Sequence, residues 1–270
     1  MKSTCLVLSA GGARGFAHIG VIKALIENDI PINKIIGSSM GALIGSGFAL
    51  NPNIEFVTEV VKEFSKNKKN YYDPKSKFLK LNLKKITEFL NFYGANVEQS
   101  NLRIPLEIAV ANFNTGELKS FTSGNLTRNL IAAISIPMLT EPSLIDNELY
   151  ADTAFVSSLP LELYNPADGI LIASDSGGNK VKNPYISSNK PKRISKLLKK
   201  HHVLHVIRSG INIGLKYEKM RNTLYLDKGV ILKSNLENYM SNEFKSYNEI
   251  IDIGYKTTLD SVSEIKTWLK

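Results

Sequence analysis

Cysteine is almost absent: Cys5 stands alone in 270 residues, so no internal disulfide can form. Histidine is scarce as well, with four in all, His18, His201, His202 and His205. No cluster of Cys, His, Asp or Glu has metal-ligand spacing, so neither zinc nor calcium nor any other cofactor is expected. No window reaches the roughly 18 uninterrupted apolar residues that a membrane-spanning helix needs. The opening stretch Met1–Ser9 is too short for a signal-peptide core and runs directly into glycines, so it reads as a strand rather than an address. A cytoplasmic location is the expectation, with peripheral contact at the inner membrane face. Internal repeats and low-complexity linkers are missing too, and no paired Cys/His module or aromatic nucleic-acid-binding strand is present, so nucleic acid is not an expected partner.

What is abundant is lysine. The formal net charge is +9, with a pI near 9.4, and the excess concentrates over Lys62–Lys85 and Lys190–Lys200. Such charge attracts anionic partners, lipid surfaces among them, but runs of this kind also simply solvate outward helix faces. At 43% hydrophobic residues the chain can bury a substantial core, and one domain over residues 1–270 is expected.

The apolar run Cys5–Ser9 reads as a buried strand, followed by the loop Ala10-Gly11-Gly12-Ala13-Arg14-Gly15 and a helix with Ile19, Ile22, Leu25 and Ile26 inward. A second strand, Lys34-Ile35-Ile36, stops at Gly37 and a small-residue helix follows over Met40–Leu50. Residues 54–93 read as amphipathic helix broken near Asp73-Pro74, with Phe78, Leu79, Leu81, Leu83, Phe89 and Phe92 forming a greasy, lysine-flanked surface. Further strands are predicted over 104–111, 118–121, 144–150, 169–173 and 230–233, and helices over 126–134 and 241–269. Strands alternating with helices predict a mostly parallel sheet covered on both faces, with ligands gathering at the carboxyl ends of its strands.

Both glycine loops fall at such ends. Gly37-Ser38-Ser39-Met40-Gly41 fits Gly-x-Ser-x-Gly, whose flanking glycines permit a sharp strand-to-helix turn that presents the serine hydroxyl. Gly45, Ser46 and Gly47 keep the following helix close to the sheet. Acyl transfer needs donors for a tetrahedral oxyanion, and the backbone N–H groups of Gly11, Gly12, Ala13, Arg14 and Gly15, opening a helix, can supply them. That loop fits neither the dinucleotide nor the P-loop pattern. Arg14 either steadies the loop or meets a substrate phosphate.

A serine needs a base. Asp152 follows a predicted strand at the end where site residues belong, although an aspartate there also commonly binds its own turn backbone. An ordinary triad of Ser39, Asp152 and one of His201, His202 or His205 is the alternative, disfavoured because the serine turn ends only the second strand. His18 reads as a helix residue packing near the site.

The stretches Ser9–Gly20, Gly37–Gly41 and Ala151-Asp152-Thr153-Ala154, extended by Thr115-Gly116-Glu117, Ser135-Ile136-Pro137 and Leu159-Pro160, resemble the patatin-like phospholipase family over roughly residues 5–175. The resemblance implies a three-layer α/β/α sandwich and a serine–aspartate dyad without histidine, with Ser39 as nucleophile, Asp152 as base and the loop around Gly11 and Gly12 as oxyanion hole. Residues 192–270 are then expected to form a mainly helical carboxyl-terminal extension. The substrate class it implies is a phospholipid, lysophospholipid or other acyl ester, with an acyl thioesterase or acyltransferase, or a catalytically weak lipid-binding regulator, as alternatives. Three positions depart from the family pattern: Ala10 replaces the first glycine of a triplet, Thr153 replaces the glycine after the base, and Ser158 stands where asparagine is common. Thr153 fits only if its backbone avoids a positive φ.

Overall fold

The computed structural model describes residues 2–72, 81–137, 139–177 and 222–270. Its centre is an eight-stranded sheet. The first strand, β1 (Thr4–Leu8), lies in the middle, parallel on one side to β2 (Lys34–Ser38) and on the other to β7 (Ile170–Asp175). Beyond β2 comes β3 (Leu106–Asn112), again parallel, and beyond β7 comes β8 (Gly229–Lys233), parallel as well. The remaining edge is antiparallel: β4 (Leu118–Phe121) and β6 (Glu148–Ala151) both pair with β3, and β5 (Ser143–Ile145) pairs with β6.

Alternation along β1 divides the core. Leu6 and Leu8 face one side, joining Ile35, Ile108 and Ile172 in the larger apolar cluster, whereas Cys5 and Val7 face the other and pack with Ile36, Leu171, Leu159 and Leu161. Onto the larger cluster pack α1 (Ala17–Glu27), α2 (Met40–Leu50), α3 (Ile54–Asn67), α5 (Leu126–Ala133) and α6 (Tyr247–Leu269). A smaller cluster around Tyr71, Ile86 and Ile134 seats α4 (Leu83–Phe92). Asn53, Asn82 and Asn125 start α3, α4 and α5 by accepting the N–H groups of Phe56, Lys85 and Arg128, the usual service of asparagine at a helix start.

Helix α1 is buried on nearly all sides because α6 covers the face turned away from the sheet. The two helices approach closely at Gly20 and Gly254: a Cβ on either would collide with the backbone carbonyl of the other helix, at Ile251 or Ala17. Ile26 is the exception to the predicted inward pattern, at 43% exposed, one residue before α1 ends.

Three other expectations change. The single strand predicted over 144–150 is a hairpin, β5 and β6, turning through Asp146 and Asn147, both at positive φ. These two residue types tolerate the left-handed conformation, so the turn signal was present inside the apolar run. The last helix begins at Tyr247 rather than near 241, with residues 236–246 folding back across the sheet's carboxyl end. Of the greasy surface, Phe89 packs edge-on against Phe64 and Tyr71 and tilted against Tyr93, while Phe92 is 82% exposed; Phe78 and Leu79 lie outside the described residues. So do all the lysines over 190–200 and His201, His202 and His205. Among the described residues no helix is long and apolar enough to cross a membrane.

Candidate active site

The carboxyl ends of β1, β2 and β7 lie side by side where the chain leaves β1 for β2 on one side and leaves β7 for β8 on the other, the position at which open α/β sheets form their ligand crevice. Ser39 stands there, between the end of β2 and the start of α2, with φ 52° and ψ −119°. A non-glycine residue held in this region stores local strain and turns its side chain away from both flanking elements. The flanking glycines are required by space. A Cβ on Gly41 would strike the Leu8 carbonyl, and one on Gly37 would lie 2.7 Å from the Ala42 backbone. The turn therefore presses against β1 and leaves Ser39 8% exposed at the amino end of α2, where partial positive charge favours an anion.

Asp152 follows β6 and is 1% exposed. Its two oxygens differ. Oδ1 accepts the Ala154 N–H at 2.8 Å, the turn bond expected of an aspartate there, whereas Oδ2 has no full hydrogen-bond partner among the described residues. Burial pushes the carboxyl pKa up to about 6, opposed by the Ser39 hydroxyl and then the Ala154 amide. The Ser39 hydroxyl thus bears on the carboxyl as a donor. The turn reading of Asp152 holds at Oδ1 and leaves Oδ2 unengaged among the described residues.

Thr153 begins a short 3-10 turn, Thr153–Phe155, and has no positive φ. Its hydroxyl is hydrogen-bonded to the Ser38 hydroxyl, fully buried, so the residue replacing glycine ties the base's turn to the nucleophile's strand. The Ser158 carbonyl accepts the Ala10 N–H at 2.7 Å.

The glycine loop opens the 3-10 turn Gly12–Phe16 just before α1. Gly12 has φ 57°, and a side chain there would collide with the Ser241 carbonyl. That carbonyl accepts the Ala13 N–H at 2.8 Å, and the Arg14 N–H bonds back to Gly11 at 3.3 Å. Among the five amides expected to serve an oxyanion, Ala13 and Arg14 are thus engaged within the protein, while Gly11 and Gly12 make none of the described backbone bonds outside the turn. Gly15 is buried against Met40. The Arg14 side chain reaches the Gly11 carbonyl at 3.5 Å, which favours its role in steadying the loop; burial lowers its pKa and Asp175 works against that. Residues 174–176 and 241, all supporting this loop, carry no pattern by which the sequence alone could have shown them.

An apolar cavity of about 80 Å³ begins beside the serine turn, lined by Phe16, Met40, Leu43, Val61, Phe64 and Leu130 among others. By a water-sized measure that is room for roughly half a dozen small groups. It runs between α2, α3 and α4; Lys66 near the end of α3, Lys69 in the 3-10 turn after it, and Lys84 and Lys85 at the start of α4 are exposed. No group of three or more His, Cys, Asp or Glu that could hold a metal ion occurs among the described residues.

Taken together, the sheet and this site define an α/β protein of the layered type that carries a serine elbow. The patatin-like phospholipase family model matches residues 6–163, and the chain belongs to that family. It is 27% identical to neuropathy target esterase sws of Drosophila melanogaster over 94% of its own length and 19% of that protein. An uncharacterized NTE family protein of Mycobacterium tuberculosis is 34% identical over 58% of the chain and 44% of the relative. A lysophospholipase of Meyerozyma guilliermondii is 24% identical over 93% of the chain and 18% of the relative. The chain therefore spans less than half the length of these curated relatives. Among solved structures, VipD from Legionella pneumophila superposes with a TM-score of 0.61 at 12% identity, covering 98% of this chain and 67% of that one, a likeness of fold.

Proposed function

We propose that the protein is a lipid acyl hydrolase that cleaves carboxylic esters of phospholipids or lysophospholipids through an acyl-Ser39 intermediate, with Asp152 as base. The observation that carries this reading is the pairing of a strained, forward-pointing Ser39 with a buried carboxyl whose Oδ2 is left without a full partner. Ser39 Oγ attacks the ester carbonyl carbon and Asp152 takes its proton. The oxyanion is met by the Gly11 and Gly12 amides and the amino end of α2. Collapse expels the alcohol, which takes the proton from Asp152. Water then attacks the acyl enzyme, gives a proton to Asp152, and the fatty acid leaves as Ser39 regains its hydrogen.

The lipid character of the substrate rests on the apolar cavity next to Met40, and the family membership supports it. The exposed lysines of α3, of the turn after it and of α4 suit an anionic headgroup surface. A cytoplasmic protein touching the inner membrane face only peripherally fits this scheme, and no nucleic-acid role enters it.

Purified protein should release fatty acid from phosphatidylcholine or lysophosphatidylcholine vesicles, and Ser39 should be labelled by a fluorophosphonate probe. Release that persists undiminished in Ser39→Ala would sink the assignment. Acyl-CoA hydrolysis exceeding vesicle hydrolysis would move the substrate to a soluble thioester.

A further inference from the structure

Beneath the glycine loop lies a buried chain of hydrogen bonds that the acyl-transfer scheme does not use. It involves His18 on α1, Ser9 after β1, and Ser174 and Ser176 at the end of β7, each of them fully buried. Every donor in it can be assigned. The His18 Nε2 lies 2.9 Å from the Ser9 carbonyl, which can only accept, so Nε2 carries the hydrogen. Burial drives the His18 pKa down to about 4, the Ser9 carbonyl working against it, and the ring is neutral above that pH. Nδ1 is then an acceptor, and the Ser174 hydroxyl donates to it at 2.8 Å. The Ser176 hydroxyl donates to the Ala10 carbonyl at 3.1 Å, so it accepts from the Ser9 hydroxyl at 3.0 Å. Ser9 Oγ in turn accepts the Ser176 N–H at 2.9 Å. The Ser9 N–H completes the tie by donating to the Ser174 carbonyl at 3.1 Å.

This chain ends on the peptide unit between Ala10 and Gly11, whose N–H is one of the two amides left for an oxyanion. Gly11 itself rests on Ser176, close enough that a Cβ there would collide with Oγ. Moving the imidazole moves Ser9, and moving Ser9 or Ser176 turns the plane of the Ala10–Gly11 amide. We infer that His18 is a positioning residue for the oxyanion loop: its imidazole, locked in one tautomer between Ser9 and Ser174, sets the direction of the Gly11 and Gly12 N–H groups. The inference deepens the proposed acyl-transfer reading and rests on it for its kinetic consequences. A neutral imidazole suits the task because a charged one would bring two donors and disturb the order of the chain.

The test compares carbonyl esters with the matching thionoesters, in which sulfur accepts hydrogen bonds poorly and so reports on oxyanion donors. His18→Phe keeps the ring shape and loses both nitrogens; it should lower kcat about 10- to 100-fold with KM little changed, the scale of a misplaced donor. Its preference for the oxygen ester over the thionoester should shrink. His18→Gln retains an N–H donor near the Nε2 position and should recover part of both. Ser176→Ala is the gentler variant should His18→Phe not fold, and it too should reduce the oxygen preference. A loss of kcat with the preference intact would overturn the inference and leave His18 a packing residue. Should Ser39→Ala retain hydrolysis, the acyl-enzyme reading fails, and amide NMR then decides the positioning separately. Displaced Gly11 and Gly12 resonances in His18→Gln and Ser176→Ala sustain it, and unmoved ones refute it.

Discussion

The two halves of the site are built by opposite means. Ser39 is fixed by strain and crowding: a left-handed serine between glycines that leave no room for a side chain, seated among parallel strands in the middle of the sheet. Asp152 is fixed by hydrogen bonds, at the end of a short antiparallel hairpin on the edge, through its bond to Ala154 and the Thr153–Ser38 link. A nucleophile must point one way through every step, whereas a base takes up and gives back a proton and gains from a setting that leaves one oxygen free. Substituting the residues that hold the rigid half should therefore do sharp damage, and substituting those that hold the bonded half should do it by degrees.

The most severe way to break the contrast removes either reacting group. Ser39→Ala and Asp152→Asn should each lower kcat by on the order of 10⁴-fold, measured as fatty acid release, because groups acting as a unit fail together. Next in size is Gly41→Ala, which drives a methyl group into the Leu8 carbonyl. It should cost about 1–3 kcal/mol, seen as a fall in Tm of roughly 5 °C, together with much of the activity.

A subtler probe uses pH. Asp152 must be ionised to accept a proton, so kcat/KM should rise with pH and reach half its plateau near pH 6. Its raised folded pKa contributes stability that is fully present below the ordinary value of 3.8 and lost as pH rises through about 6. The depressed pKa of His18 does the reverse, contributing stability present above 6.5 and lost as pH falls through about 4. The two slopes oppose each other between pH 4 and 6. Asp152→Asn removes one and should leave a variant whose urea midpoint drops more steeply on acidification than that of the wild type. The smallest effect belongs to Thr153→Gly, which deletes the link to Ser38 and loosens the turn, for about 1 kcal/mol and a modest loss of rate.

The part of this molecule legible in the sequence is the part written locally. A strand, a glycine turn and a helix at Cys5–Ile22, and again at Lys34–Leu50, announce themselves because period, turn chemistry and small residues all sit within a few positions of one another. Ser39 was found that way, and Asp152 by its place after a strand. The hairpin at Asp146–Asn147 is hidden in the sequence because its two strands are so short that Leu144-Ile145 and Leu149-Tyr150, either side of the turn, read as one strand. The clamp on the glycine loop was invisible for a different reason: Ser174, Ser176 and Ser241 lie more than a hundred residues from Ser9 and Gly12, and small polar side chains leave no periodic trace. Only the pairing of β1 with β7 and the return of residues 236–246 bring them there.

The mutual seating of α1 and α6, through Gly20 and Gly254, bears on how the protein can be cut and reassembled. Helix α1 is the stalk of the glycine loop, and the stretch matched by the family model ends at 163, well before the helix that covers α1. A fragment ending there would leave α1 bare and lack the serines beneath the loop, so it should be inert by itself. Supplying the missing piece as a separate polypeptide offers a reporter whose light or colour appears only when the halves meet.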